Sequence, residues 1–418
     1  MNVLLEKSKI CGEIDIPPSK SQAHRMMIAS FLAGENFDFG LFGDDVSATK
    51  NCLDALKSLL AGEREDIVLD AGESGSTLRF LLPVVCALGI SCKIVGHGRL
   101  PMRPVGELLD VLKAHGANIV GDKLPLIVLN RAESCLSNDG LVAGEYRVTG
   151  SVSSQYITGL LFALPLLDGD SKIVIDGALV SKNYVEMTLD VLKAFGIDVQ
   201  TKEYGFFVKG GQKFRSNGAK SIEGDWSSAA FPLALGLLTG DVEAKNVDDN
   251  SKQADRAFVN IARSMGGTIV KTERGFAARK SELHAVSFDA SNCPDIVPVL
   301  SVLCAFADGK SEIFGVDRLR AKESDRLLAV QNLLASLGVK NEYANNSLSI
   351  YGNPNLRSEN NKPKAKISAD SFADHRIAMS GIVAGLTVGG VEVAGVECIA
   401  KSYPTFLDDI KTIGAKVR

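Results

Sequence analysis

The residue types able to do chemistry gather in short polar runs. The first, PPSKSQAHR, places Ser19, Lys20, Ser21, His24 and Arg25 behind two prolines. An apolar body follows directly, Met26 to Ala33, and ends at Gly34. Ser19 or Ser21 fits a helix N-cap and Gly34 its C-terminal stop. A helix apolar all round is buried, so only its polar N-terminus can meet solvent or ligand. That end offers unpaired N–H groups and about half a positive charge, to which Lys20 and Arg25 add their own. The chemistry this implies is anion binding, with both cations able to point at one phosphate. In the loop GRLPMRPVG at 98–106, prolines brace Arg99 and Arg103. RLRAKESDRLL at 318–328 sets Lys322, Glu323, Asp325 and Arg326 at the start of an amphipathic helix. The macrodipole favours the acids there and disfavours the cations. DHR at 374–376 and AKSYP at 400–404 are weaker signals, since a lone His-Arg or Lys is an ordinary surface feature.

The elements that must hold these runs repeat. Residues 17–34, 72–89, 150–167, 224–240, 293–309 and 370–390 each begin with a small or charged polar head and continue as an apolar helix, most ending at Gly. Between them lie amphipathic helices running into a Gly and a β-like tail, at 53–62, 108–120, 188–199, 258–270, 329–339 and 406–417. Any one of these is an ordinary core helix. Six polar heads spaced about 70 residues apart are an internal repeat and point to a shared site. Short β-like runs, such as SKIVIDGALV at 171–180 and LSIYG at 348–352, complete a unit of roughly βαβαββ. Three units per half give two similar α/β domains. The crossings between halves fit near Pro17–Pro18 and near Glu223–Gly224, giving 1–19 plus 223–418 as one domain and 20–222 as the other. The N-terminal stretch MNVLLEKSKICGEIDI alternates like a strand and goes with the C-terminal half. The polar stretch 357–366 reads as a surface loop inside a unit.

At 418 residues and 45% hydrophobic, the chain can build two sizeable cores. The formal net charge of −4 argues against a nucleic-acid-binding surface, so an anion site must be a local concentration of Lys and Arg. No apolar stretch is long enough for a membrane span, and the N-terminus lacks a signal-peptide core. The eight cysteines form no CxxC pair and read as reduced packing residues of a cytoplasmic protein. The five histidines form no ligand pattern, so no metal is expected.

Taken in order, PSKSQAHR, GESGSTLR, LPMRPVG, GSVSSQ, LVSKNY, CPD, AKESDR, DHRIAM and AKSYP resemble the 5-enolpyruvylshikimate-3-phosphate synthase family over nearly the whole chain. The resemblance implies two domains of three βαβαββ units each around buried helices, an inside-out α/β barrel with the active site in the cleft between domains. It also implies transfer of the enolpyruvyl group of phosphoenolpyruvate to the 5-hydroxyl of shikimate 3-phosphate, with release of phosphate and no metal or organic cofactor. Carried over residue by residue, Lys20, Ser21, Arg25, Ser153, Ser154, Gln155, Ser181, Tyr184 and Lys322 match shikimate-phosphate contacts. Lys20, Gly75, Arg103, Gln155, Arg326, Arg376 and Lys401 match the phosphoenolpyruvate set. Asp295 matches the acid that binds the ring hydroxyls and takes the proton, and Glu323 the proton donor, with Lys20 beside them as a catalytic group. Both substrates are anions, so a dense cationic site must offset their repulsion. The resemblance further implies competitive inhibition by glyphosate, a cytoplasmic setting and a monomer.

Two departures from the pattern stand out. Glu73 occupies a place where Asn is expected near phosphoenolpyruvate, and Arg318 a place where Asn is expected near the shikimate ring. Neither removes a catalytic group. The sibling transferase acting on UDP-N-acetylglucosamine would carry a Lys–Asn pair near the start and a Cys in the 98–106 loop. Here Lys20 precedes Ser21, and that loop has no Cys. A non-catalytic phospho-ligand sensor would keep the cations and lose Asp295 or Glu323, and both are present.

Overall fold

The computed structural model describes residues 1–36, 43–63, 67–129, 140–216, 221–358 and 366–418. Chain contacts divide these into two compact units, Met1–Ser19 with Glu223–Arg418, and Lys20–Ile222. The alternating N-terminal stretch is two strands, not one: β1 (Asn2–Glu6) and β2 (Cys11–Asp15), which belong to different sheets.

In unit 20–222, α1 (Lys20–Leu32) and α2 (Asp44–Leu60) come first. Two complete repeats follow. One is β3 (Val68–Asp70), α3 (Gly75–Ala87), β4 (Cys92–Val95), α4 (Gly106–Ala114), β5 (Asn118–Val120) and β6 (Leu126–Leu129). The next is β7 (Glu145–Thr149), α5 (Ser154–Ala163), β8 (Ser171–Asp176), α6 (Lys182–Ala194), β9 (Val199–Lys202) and β10 (Gly205–Val208). The α2 helix begins at Asp44, well ahead of the 53–62 stretch, because its first turns carry too few apolar residues to show the helical period. Cys135 and most of the 357–366 loop lie outside the described residues.

The other unit takes β2 and then α7 (Trp226–Thr239), β11 (Asp241–Lys245), α8 (Ala257–Ser264), β12 (Thr268–Lys271) and β13 (Gly275–Arg279). Its second repeat is β14 (Ser287–Asp289), α9 (Val297–Ala305), β15 (Gly309–Phe314), α10 (Arg326–Ser336), β16 (Asn341–Ala344) and β17 (Ser347–Gly352). Its third is β18 (Ile367–Asp370), α11 (His375–Val388), β19 (Val391–Ala394), α12 (Phe406–Thr412) and β20 (Lys416–Val417), completed by β1.

All five described sheets are open, four-stranded and built alike. The first strand of a repeat lies parallel to the second, and the fourth and then the third follow antiparallel, as in β3-β4-β6-β5 and β14-β15-β17-β16. The helices that follow the first strands form the cores. Every residue of α9 and α11 is buried, as is α7 from Trp226 to Leu238. Each buried Leu, Ile or Phe side chain contributes about 1.5–3 kcal/mol, so these bodies anchor their heads firmly. Close packing of α3 on α5 needs a glycine. A Cβ on Gly159 would stand 2.3 Å from the Arg79 carbonyl oxygen, so any side chain there would push the helices apart.

Candidate active site

In unit 20–222 three helix heads carry the polar side chains. The α1 helix ends in a left-handed Gly34 (φ 73°), whose N–H reaches the Phe31 carbonyl, and its other end presents Lys20, Ser21 and Arg25. Ser21 lies inside the helix, which leaves Ser19 as the flanking residue. Arg25 is buried, and every polar partner is neutral. Its Nε donates to Thr188 Oγ1 at 2.8 Å, its Nη2 to the Tyr184 carbonyl at 3.0 Å, and its Nη1 to the Ser21 carbonyl. Its guanidinium also lies 4.9 Å from the Phe80 ring centre. Burial lowers this group to about 10. Lys20 differs, since its Nζ is 2.9 Å from Asp45 Oδ2 on α2.

Ser74 caps α3 by accepting the Thr77 N–H, and Gly75 is the first residue of that helix. A Cβ on Gly75 would meet Arg79 Nη1 at 2.6 Å and Arg103 Nη1 at 2.9 Å, so both guanidinium groups close over this glycine. Arg79 donates to Gln155 Oε1 at 2.7 Å and to the Pro104 carbonyl at 2.8 Å, and Tyr156 OH donates to the same carbonyl. Gln155 in turn donates to Ser76 Oγ at 2.9 Å. The buried Nε of Arg103 has no hydrogen-bond partner. Ser153 caps α5 on the Gln155 N–H, and Ser154 opens that helix. Ser181 precedes α6 with φ 54°, a left-handed conformation that a serine holds only under constraint. Glu73 turns to the neighbouring loop, where its carboxylate would lie within about 2.5 Å of a Cβ placed on Gly98.

The other unit gathers acids and cations around one arginine. Arg326, the first residue of α10, is fully buried. It donates from Nη1 to Asp295 Oδ1 at 2.7 Å, from Nε to Asp374 Oδ2 at 2.9 Å, and from Nη2 to Glu323. Burial opposes its charge, but Asp374, Glu323 and Asp295 outweigh it and raise its pKa above the ordinary arginine value. Asp295 sits in a 3-10 turn at the head of α9. It also receives Lys322 Nζ at 3.2 Å, and Arg376 Nη2 lies 3.4 Å from its other oxygen. Burial lowers the Lys322 ammonium from its ordinary value, against the pull of Asp295. Asp374 caps α11 on the Arg376 N–H and accepts the Ser324 hydroxyl at 3.0 Å.

Lys322 and Glu323 do not open the amphipathic helix. They lie in the turn between a 3-10 segment, Asp317–Ala321, and α10, which Asp325 caps. That turn aims both side chains at Arg326 and Asp295. Lys401 ends a separate 3-10 segment and donates to the Ala373 carbonyl at 2.9 Å. Arg318 donates to the Ser291 carbonyl at 3.1 Å, and Asp295 is the charge that most supports it against burial.

Several partners in these clusters escaped the sequence reading. Arg79 was inside the GESGSTLR run, yet nothing in its spacing announced that it holds Gln155. Asp374 looked like a surface charge beside His375. Asp45 had no local signal, and His24 stood out only as part of the polar head of α1. Asp255, at 1% exposed, accepts the Ser227 hydroxyl. Burial, with Asp295 next in weight, pushes its carboxyl up to about 6. Among the described residues no group of His, Cys, Asp or Glu could hold a metal ion, and no helix is long and apolar enough to cross a membrane.

Residues 5–410 match the family described as EPSP synthase (3-phosphoshikimate 1-carboxyvinyltransferase). The 3-phosphoshikimate 1-carboxyvinyltransferase of Clostridium acetobutylicum is 37% identical over 97% of this chain and 96% of its own length. That of Clostridium kluyveri is 36% identical over 99% and 98%. Among solved structures, an EPSP synthase from Acinetobacter baumannii superposes with a TM-score of 0.77 at 24% identity, covering 100% of this chain and 99% of its own. The enolpyruvyl transferase NikO from Streptomyces tendae has a TM-score of 0.72 at 14% identity, covering 100% of this chain and 98% of its own. Those two likenesses concern the fold.

Proposed function

Because this chain belongs to the EPSP synthase (3-phosphoshikimate 1-carboxyvinyltransferase) family, we propose that it transfers the enolpyruvyl group of phosphoenolpyruvate to the 5-hydroxyl of shikimate 3-phosphate in the shikimate pathway. The observation that carries the reading is the shared grip of Arg326 on Asp295 and Glu323. Addition and elimination need a base at the hydroxyl and an acid at the methylene carbon, held together and kept apart in role. Asp295 takes the hydroxyl proton as that oxygen bonds to the central carbon of phosphoenolpyruvate, while Glu323 protonates the methylene carbon. The resulting tetrahedral ketal still carries phosphate. Glu323 then takes a proton back from the new methyl group, the carbon–oxygen bond to phosphate breaks, the departing phosphate carries off the proton held by Asp295, and the enol ether and inorganic phosphate leave.

Lys20, Ser21, Arg25, Ser153, Ser154, Gln155, Ser181, Tyr184 and Lys322 bind shikimate 3-phosphate in this reading. Lys20, Gly75, Arg103, Gln155, Arg326, Arg376 and Lys401 bind phosphoenolpyruvate. The neutral surroundings of Arg25 support the first assignment, and the Arg103 guanidinium over Gly75, whose Nε is unpartnered, supports the second. In this reading the protein works as a cytoplasmic monomer without metal or organic cofactor. The test is phosphate release and formation of the enol ether on mixing the protein with both substrates. Phosphate release from phosphoenolpyruvate without shikimate 3-phosphate, or none with both, contradicts the reading.

A further inference from the structure

Between the heads of α1, α2 and α3 runs a buried file of side chains that the reaction scheme leaves unused. His24 Nδ1 lies 2.7 Å from Thr49 Oγ1, and Thr49 Oγ1 lies 2.6 Å from Thr77 Oγ1. The Thr77 hydroxyl lies 2.8 Å from Ser74 Oγ and 3.3 Å from the Asp45 carbonyl oxygen. All four side chains are buried. Counting protons sets the direction of the file. The Asp45 carbonyl only accepts, and Ser74 Oγ already accepts the Thr77 N–H, so the Thr77 proton goes forward to that pair. Thr77 oxygen then accepts from Thr49, and Thr49 oxygen accepts from His24 Nδ1–H. The ring is left with a bare Nε2, which indeed has no hydrogen-bond partner; its neighbour is the Phe80 ring at 6.3 Å.

The charges around the ring agree with this. Lys20 and Arg25 are its charged neighbours on α1, and the Asp45 carboxylate on α2 is taken up by Lys20. Burial first, then the two cations, hold the imidazole well below the usual histidine range. The file ends at two things the cationic heads need. One is Asp45, which fixes Lys20. The other is Ser74, which caps α3 one residue ahead of Gly75.

We propose that His24, protonated on Nδ1, is a positioning residue: through Thr49 and Thr77 it sets Asp45 with its Lys20, and the α3 N-terminus, in binding geometry. This rests on the transferase reading for its kinetic consequences and on the file alone for the state of the ring. The experiment uses the full-length protein with 15N-labelled histidine and the variants His24→Asn, His24→Leu and Thr49→Val. Asn keeps an N–H where Nδ1 stood, Leu removes it, and Thr49→Val breaks the file without touching the ring. The imidazole spectrum of the wild type is expected to show Nδ1–H, bare Nε2, and no titration down to about pH 5. Losing one buried hydrogen bond should raise KM for at least one substrate about tenfold in His24→Leu and Thr49→Val, with kcat changed less than about threefold. His24→Asn should remain close to wild type in both constants. An Nε2–H ring, a ring titrating between about pH 5 and 8, unchanged KM in folded Leu and Val variants, or an Asn variant as impaired as Leu would each overturn the proposal. If His24→Leu does not fold, Thr49→Val supplies the kinetic answer. Absence of any turnover in the wild type would sink the transferase reading, while the spectrum still decides the state of the ring.

Discussion

Arg25 and Arg326 are both buried arginines near the start of a helix, and their units surround them in opposite ways. Around Arg25 stand hydroxyls, carbonyls and a phenyl ring. Around Arg326 stand three carboxylates. A buried charge with only neutral partners keeps its field and waits for an anion to complete it. A buried charge ringed by acids has spent its field on orienting them. The first arrangement suits binding a phosphate; the second suits presenting two carboxyl groups to a reaction. In the proposed function, Arg25 therefore serves binding alone, whereas Arg326 also presents the two acids.

The contrast breaks most visibly at the acids. Asp295→Ala and Glu323→Ala should each lower turnover by about 10²–10⁴, because in the proposed mechanism each removes a proton-transfer group. Replacing Ser153 or Ser181 by Ala should instead act mainly on KM. Steady-state phosphate release, with circular dichroism to verify folding, checks both. Near-normal turnover in a folded acid variant would erase the division of labour.

Deleting each arginine tests the contrast through stability. Arg326→Ala strands three carboxylates around a buried hole and should cost about 3–5 kcal/mol. Arg25→Ala strands only neutral groups, so its loss should be nearer about 1–3 kcal/mol while KM for shikimate 3-phosphate rises steeply. Urea unfolding of the pair gives the comparison. Equal losses would mean that the neutral shell around Arg25 binds its charge as firmly as the acids bind Arg326.

What was legible in the sequence follows the same division. The helix heads were legible because a lysine or arginine beside an apolar body has no local excuse. The six-fold alternation was legible because each repeat brings its own period and its own terminating Gly. Partnerships were not. Asp374 and Arg326 are 48 residues apart, and Gln155 and Arg79 are 76 apart. Pairs of that kind join different repeats, so no spacing rule within one repeat can find them. The turn at Lys322 and Glu323 was misread as helix for a related reason. Asp325 is the cap, but its charged neighbours look like a first turn until Arg326 is seen gathering them.

Asp255 offers a pH test within the acid-rich unit. Its carboxyl is raised to about 6, against about 3.9 in an unfolded chain, so the folded state binds more protons between those values. Stability from this group is therefore present below about pH 4 and is lost as pH rises through about 6. Asp255→Asn removes that loss. The variant should gain on wild type by about 2 kcal/mol between pH 4 and pH 7. Denaturant unfolding across the range measures it, and a constant difference would refute the shift.

Gly75 sharpens the comparison from the binding side. The added methyl of Gly75→Ala must displace Arg79 or Arg103. Arg79 is tied to Pro104 and Gln155, whereas the Arg103 Nε is unpartnered, so Arg103 yields. KM for phosphoenolpyruvate should rise up to about tenfold, an overpacking cost of about 1.4 kcal/mol. The longer inhibitor glyphosate should lose more than the substrate does. Glu73 lies against Gly98. Equal losses for substrate and inhibitor would remove Gly75 from the pocket.

The smallest effect is expected where the two kinds of head share a turn. Ahead of α3, Asp70 accepts the Gly72 N–H, and Gly72 is left-handed at φ 57°. Ahead of α11, Asp370 accepts the Phe372 N–H in the same way, yet Phe372 and Ala373 are left-handed without being glycine, at φ 52° and 54°. Each such residue costs roughly 1–2 kcal/mol. The turn is held down by Ser371, which accepts the Ala373 N–H, and by Lys401, whose ammonium lies 2.9 Å from the Ala373 carbonyl. Ala373→Gly relieves one strained position but frees the unfolded chain by about 0.4–1 kcal/mol. The difference should leave the variant more stable by about 0.5 kcal/mol, a rise in Tm of about 1–2 °C. Arg376 lies three residues later, in the first turn of α11, so phosphoenolpyruvate binding should weaken slightly as the turn loosens. Calorimetry with a parallel KM measurement reads both. A lower Tm would mean that the constraint from Ser371 and Lys401 makes the left-handed turn costless, and that Ala373 stores no strain.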